Sequence, residues 1–279
     1  MSDLPRRINA SAEAVDGVRI IRLQQVRQLA TEFDCSVRDV ELTALEAGIV
    51  PWRYLRNIGS IGLEGQAKLL RATVAVVGQG GLGGYVTEAL ARMGVGRLVL
   101  IDGDAFEEHN LNRQLLSSES KLGMEKTQAA RQRVAAINSA VEVSGHTTTL
   151  TRGNLPLLLK GADVVVDALD RLPIRLVLQL GAQTLGIPMV HGSIAGFLGQ
   201  VMTVFPDDPG LRSLYGEQEL PEQGLELQLG TPAATPMAVA AWEAQEVVKI
   251  LVGKGELLRH RLLVMDMEAG TIETLQLDA

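Results

Sequence analysis

Four glycines at positions 78, 80, 81 and 83, in the run VVGQGGLGGY, sit between a short apolar stretch and an amphipathic one. Gly78, Gly80 and Gly83 carry the G-x-G-x-x-G spacing, and Gly81 doubles its middle member. A turn without side chains lets a phosphate approach backbone N–H groups and the positive end of the helix that follows. The next apolar run, RLVLI, ends on Asp102, where a nucleotide ribose would lie. Alone, this pattern specifies a nucleotide and little more, because folds of unrelated chemistry share it.

The residues that follow narrow the chemistry. Asp104 comes directly after Asp102-Gly103, then EEHNLNRQ supplies Asn110, Asn112, Arg113 and Gln114, and Lys126 opens the next helical stretch. Asp170 follows the apolar run VVVD, with Arg171 next to it. In an open parallel sheet, loops at the carboxyl ends of the strands converge on one crevice. A triphosphate suits this set: amides and two fixed cations neutralise the phosphates, and a carboxylate holds Mg²⁺. A nicotinamide enzyme satisfies its pyrophosphate largely through the glycine turn and needs neither an Arg nor a Lys in these loops. Asp104 reads either as a ligand or as a turn residue. Asp167 either supports Asp170 or caps a helix, and Arg171 either contacts phosphate or points outward. His109 and His191 read as hydrogen-bonded structural groups, and Cys35 as a small buried side chain.

The elements that must hold these groups alternate in a βαβ rhythm. Strands are expected at 74–77, 97–102, 141–146, 163–167 and from 188, and helices at 82–93, 125–138 and up to 185. Continuous apolar runs such as VVVD mark a sheet covered on both faces. After Gly196 the rhythm changes: 198–205, 262–267 and 271–277 read as antiparallel additions, and 236–251 as a strongly apolar helix. The segment 206–230, rich in Pro, Gly and acids, reads as a functional crossover loop. Residues 1–60 read as a helical extension. Within it, 18–33 form one helix through Ile21, Val26, Leu29 and Phe33, and Ser36 caps a second that stops at Gly48. Through Arg56 this segment carries eight arginines against eight acids and so offers no basic face for nucleic acid.

Composition agrees. The chain has 279 residues with 46% hydrophobic and 3% aromatic side chains, enough for a large, mainly aliphatic core. A net charge of −7 argues against binding nucleic acid through its backbone. The single cysteine, Cys35, rules out an intrachain disulfide and suits a cytoplasmic location; no apolar run approaches the ~20 residues of a membrane span.

The ordered set GQGGLGG, LIDGD, NLNRQ, LGMEK and DALD, preceded by RYLRN and followed by HGSIAGFLGQVMTVF, resembles the MoeB/ThiF/HesA branch of the ubiquitin-activating-type adenylyltransferases over about residues 52–277. The resemblance implies a Rossmann-like, mostly parallel sheet with helices on both faces, antiparallel carboxy-terminal strands and a small amino-terminal extension. It implies a cytoplasmic homodimer that uses ATP and Mg²⁺ to adenylate the carboxy-terminal glycine of a ubiquitin-like sulfur carrier ending in Gly-Gly. Such carriers serve molybdenum- or tungsten-pterin cofactor assembly, or thiamin. By the same resemblance Gly81 lies at the nucleotide, Asp102 binds the ribose, and Asn110, Arg113 and Lys126 contact the phosphates, with Gln114 continuing the loop. Asp170 organises Mg²⁺, and Arg56 reaches the partner protomer's ATP.

Three departures are visible. The C-x-x-C pairs of zinc-bearing relatives are absent, so no zinc site is expected. The crossover has no cysteine, so the reaction is expected to stop at the adenylate, with sulfur supplied by another protein. The usual Asp-Asn after the fourth strand is Asp170-Arg171. Alternatives are carboxylate activation on tRNA, as in the threonylcarbamoyladenosine dehydratases, and an NAD(P)-dependent oxidoreductase.

Overall fold

The computed structural model describes residues 3–216 and 224–277. Helix α1 (Leu4–Ser11) leads into strands β1 (Glu13–Val15) and β2 (Val18–Ile21), then α2 (Leu23–Glu32), α3 (Val37–Glu46) and β3 (Val50–Pro51). The extension is therefore not all helical, and the single helix expected over 18–33 is corrected. Residues 18–21 are a strand, and the helix begins at Leu23. Asp16 and Gly17 both adopt left-handed backbone, at φ 50 and 78, forming the two-residue turn whose twist suits a hairpin. Ile20 and Ile21 then pair in parallel with Val50 and Pro51, which closes a three-stranded sheet. Ser36 does cap α3: its hydroxyl accepts the Asp39 N–H, and the Asp39 carboxylate accepts the Ser36 N–H, each at 3.1 Å.

Beyond it come α4 (Leu55–Arg71), β4 (Thr73–Val77), α5 (Gly83–Met93), β5 (Arg97–Ile101), α6 (Lys126–Ile137) and β6 (Glu142–His146). The chain continues through α7 (Leu155–Leu158), β7 (Val164–Asp167), α8 (Leu172–Thr184), β8 (Met189–Ala195) and β9 (Leu198–Val204). Short helices α9 (Arg212–Tyr215) and α10 (Glu226–Leu229), the long α11 (Ala234–Val252), β10 (Arg261–Asp266) and β11 (Thr271–Gln276) complete it. The crossover expected at 206–230 contains α9 and α10, and its residues 217–223 lie outside those described.

The main sheet has the order β11-β10-β9-β8-β7-β4-β5-β6. Strands β4 to β8 pair in parallel, and β9, β10 and β11 are antiparallel additions. Its central strands bury both faces by simple alternation. Val74, Val76, Leu98, Leu100, Val164 and Val166 pack in one apolar cluster with residues of α5 and α11. Ala75, Val77, Val99, Ile101 and Val165 pack in the other, with residues of α7 and α8. Chain connections leave β4 in one direction to β5 and β7 in the other to β8. The switch point, and with it a crevice, therefore lies between the carboxyl ends of β4 and β7.

One buried knot fastens the extension to this domain. Glu41 of α3 is 1% exposed and lies 3.3 Å from Arg53 Nε. Arg53 also donates to the Asn138 side-chain oxygen, while the Asn138 amide donates to the Tyr54 hydroxyl and to the Ala91 carbonyl, both at 2.9 Å. Burial pushes the Glu41 carboxyl up to about 7, against the opposing pull of Arg53. Between its ordinary value of 4.5 and 7, the folded chain holds a proton that the unfolded chain releases. Stability must therefore fall as pH rises through that window. We expect Glu41→Gln to remove about 3 kcal/mol of that decline, measured by chemical denaturation between pH 4.5 and 7.5. Parallel pH profiles for the two proteins would contradict the assignment.

Candidate functional site

The glycine turn is shaped by its own backbone before any ligand arrives. Gly78 has φ +94, and a Cβ there would stand 2.4 Å from the Ala168 carbonyl oxygen, in the turn after β7. A Cβ on Gly83 would stand 1.8 Å from the Gly78 carbonyl oxygen. These two glycines are demanded by the fold. Gly80 and Gly81 are not: a Cβ on either would meet its nearest neighbour at an ordinary 3.6 Å. Their bareness serves whatever approaches from outside. Helix α5 starts directly behind them, with no side-chain cap and no acid in its first turn, so its amino end presents uncompensated positive potential.

Asp102 closes the far side of the turn. Its carboxylate accepts the Gln79 N–H at 2.6 Å and the Asp104 N–H at 2.8 Å. Burial raises its carboxyl, with Lys126 and the two N–H bonds opposing. Lys126, buried at the start of α6, donates to the Asp104 carboxylate at 2.8 Å. The Asp104 side chain thus lies in a tight turn and holds the lysine.

The NLNRQ block wraps the other side. Asn110 is buried, and its side-chain oxygen accepts the Glu107 N–H at 3.0 Å. Asn112 reaches the Thr231 carbonyl at 3.2 Å, tying this loop to the segment before α11. The Arg113 guanidinium donates to the Asn112 side chain at 2.8 Å and to the His109 carbonyl at 3.0 Å. Gly81 lies under its aliphatic stem. Burial lowers its pKa, and its charge interacts with Asp170 across the crevice. Gln114 is buried beside Gly80, and its side-chain oxygen has no hydrogen-bond partner.

The crevice therefore gathers Gly78, Gly80, Gly81, Gly83, Asp102, Asp104, Arg113, Gln114, Lys126 and Asp170. Asn110 and Asn112 belong to the loop that flanks it, and two further site candidates sit apart: Arg56 is exposed in the first turn of α4, and Arg171 is exposed at the N-cap position of α8. Among the described residues no three His, Cys, Asp or Glu side chains gather to hold an ion by themselves. An exposed lone carboxylate beside a phosphate cradle nonetheless suits Mg²⁺, which keeps most of its waters and takes one or two carboxylates plus phosphate oxygens. Asp170 fits that donor set.

Sequence reasoning overlooked the residues that brace the turns. Gln79 is fully buried; its amide donates to the Val76 and Gly78 carbonyls at 3.2 and 3.0 Å, and its oxygen accepts from Thr87 at 3.0 Å. It occupies an unspecified position of the glycine motif, so the pattern gave no hint of it. Glu243, in the apolar α11, is buried against Gly192, where a Cβ would stand 2.4 Å from its carboxyl carbon. Burial, reinforced by Asp167 and opposed by Arg175, raises the Glu243 pKa well above the ordinary value.

The model of the ThiF family matches residues 54–279. A protein of Haloferax volcanii named SAMP-activating enzyme E1 is 39% identical over 227 residues, covering 80% of this chain and 83% of that protein. The adenylyltransferase and sulfurtransferase MOCS3 of Culex quinquefasciatus is 38% identical over 277 residues, covering 95% of this chain and 62% of its own length. The protein of the same name from Aedes aegypti is 36% identical, and the chain spans 52% of it. Among solved structures, that of Escherichia coli MccB with ATP superposes with a TM-score of 0.70 at 24% identity, over 80% of this chain and 71% of that one. That likeness establishes the shared fold.

Proposed function

Because the chain belongs to the ThiF family, we propose that it is an ATP-dependent adenylyltransferase that activates the carboxy-terminal glycine of a ubiquitin-like sulfur carrier. The observation that carries this reading is the convergence of a bare glycine turn, two cations and three acids on the switch-point crevice. Relatives named as activating enzymes and adenylyltransferases favour it over the tRNA and oxidoreductase alternatives.

In this reading Asp102 takes the ribose hydroxyls with its remaining lone pairs. The amides of the glycine turn and the amino end of α5 face the phosphates, with Asn110, Asn112 and Gln114 along their flank. The carrier's carboxylate attacks the α-phosphorus, a new P–O bond forms, and the bond to pyrophosphate breaks. Arg113 and Lys126 meet the negative charge that gathers on the α-phosphate and the departing pyrophosphate, so catalysis is mainly electrostatic. Lys126 exchanges part of its bond to Asp104 for phosphate. Mg²⁺, which Asp170 would hold, neutralises pyrophosphate oxygens when bound. Arg171 lies close enough in sequence to Asp170 to add a phosphate contact. The product is an acyl-adenylate. With no cysteine in the crossover, the sulfur is not carried by that segment, and molybdenum- or tungsten-pterin cofactor assembly or thiamin synthesis is the setting, in the cytoplasm. Incubation with MgATP should convert a Gly-Gly-ending carrier to its adenylate, read by mass spectrometry. Modification of tRNA in its place would favour the alternative.

The site is completed across a homodimer, each protomer lending Arg56 to its partner's nucleotide. Arg56→Ala and Arg113→Ala proteins should each be inactive. Mixed and allowed to exchange subunits, they should regain about a quarter of wild-type turnover, since half the dimers become hybrids with one intact site each. No recovery after proven subunit exchange would contradict the shared site.

A further inference from the structure

A buried polar truss stands behind the loop that carries Asp170. The residue just before it, Leu169, has both backbone groups taken by side chains. Its N–H is donated to Asp167 Oδ1 at 3.2 Å, and its carbonyl accepts from Arg175 Nη2. Arg175, in the first turns of α8, also reaches β8, donating from Nη1 to the Gly192 carbonyl at 3.0 Å. His191 of β8 closes the figure with its Nδ1 2.7 Å from Asp167 Oδ2. Asp167 and His191 are fully buried and Arg175 is 5% exposed. Glu243 of α11 faces the same cluster, and Tyr215 of α9 lies within the field of Arg175 and Asp167.

The charges in this truss are settled by its surroundings. Burial raises Asp167, but Arg175 and the bond from His191 outweigh it and hold the carboxyl below the ordinary range. Burial holds His191 below its ordinary value despite the pull of Asp167, so the ring is neutral. An ionised acceptor at Nδ1 then fixes the tautomer with its proton on Nδ1. Asp167 of β7 and Arg175 of α8 thus hold the two backbone groups of Leu169, and His191 and Gly192 of β8 brace both of them, through groups too buried to contact a ligand directly.

Resting on the reading that Asp170 organises Mg²⁺, we propose that His191, Asp167 and Arg175 are positioning residues: the His191–Asp167 pair aims Arg175, and Arg175 with Asp167 clamps Leu169 so that the Asp170 carboxylate faces the nucleotide's phosphates. The carboxylate is exposed and sits on a turn; without the clamp it would sample many positions, and metal-assisted binding would lose affinity.

Calorimetric titration with a non-hydrolysable ATP analogue, with Mg²⁺ and again in EDTA, tests this. His191→Leu should weaken binding with Mg²⁺ by about tenfold while metal-free binding stays within about twofold. His191→Asn, whose amide lies near the place of Nδ1–H, should recover most of the loss. Arg175→Lys keeps the charge, cannot span both carbonyls, and should behave like His191→Leu. Folded variants that bind the analogue with Mg²⁺ as wild type does, or that lose metal-free binding equally, would overturn the proposal. Hydrogen exchange on the wild-type protein tests it without any variant. The Leu169 amide should be protected in the ligand-free protein, and exchange at an open-loop rate would overturn it. A wild-type protein that adenylates no carrier would instead sink the proposed function. Normal adenylation with insensitive variants would sink this inference alone.

Discussion

Arg113→Ala is expected to abolish carrier-dependent turnover, by about a thousandfold, while leaving the fold intact. The guanidinium is half-buried and faces Asp170 across the crevice, and its own hydrogen bonds go to a neighbouring side chain and carbonyl. Removing it forfeits little packing but leaves charge building on the phosphates without a fixed cation. Lys126→Ala should lose activity on the same scale, since its amine is held at the crevice by the exposed Asp104 and leaves for phosphate at little cost. The two act on one charge, so the double variant should be little worse than either single one. Steady-state rates alongside thermal melting check this: full activity in either folded variant would refute its role.

The second large effect separates glycines that serve the fold from one that serves the ligand. Gly83→Ala places a Cβ 1.8 Å from the Gly78 carbonyl oxygen, a backbone atom in a turn that is itself wedged against Ala168. We expect a loss of about 3 kcal/mol or more, or insoluble protein, because the collision cannot be relieved by rotating a side chain. Gly81→Ala should melt near wild type, since its nearest neighbour would be Pro236 at 3.6 Å. It should nonetheless bind ATP at least tenfold more weakly, the methyl group holding phosphate away from the backbone. Melting curves and calorimetry distinguish the pair. An equally unstable Gly81→Ala, or one that binds ATP normally, would contradict the division.

Much of the doubly wound sheet was legible because VAVV, RLVLI and VVVD are buried on both faces, so their apolar runs are continuous and bounded by glycines or acids. The crevice was legible for a related reason. Once strand order is parallel, Asp102, Arg113, Lys126 and Asp170 all fall at carboxyl ends of strands, and topology brings them together. The extension was misread where its strands are only three and four residues long, too short for period two to show against a helical spacing through Ile21 and Val26. The Asp16-Gly17 pair was the signal that could have corrected it. The truss behind Asp170 was not legible as such, because Asp167, Arg175, His191 and Glu243 come from four elements and form no local pattern. Their pairing depends on side-chain reach across β7, β8, α8 and α11.

The central claim is that the crevice between β4 and β7 activates a carboxylate with ATP. ATP–pyrophosphate exchange measures it most directly. With a ubiquitin-like carrier ending in Gly-Gly, the wild-type protein should return labelled pyrophosphate into ATP, and a carrier lacking its last glycine should not support that exchange. No exchange with any such carrier, together with tight binding of NADH in place of ATP, would contradict the account.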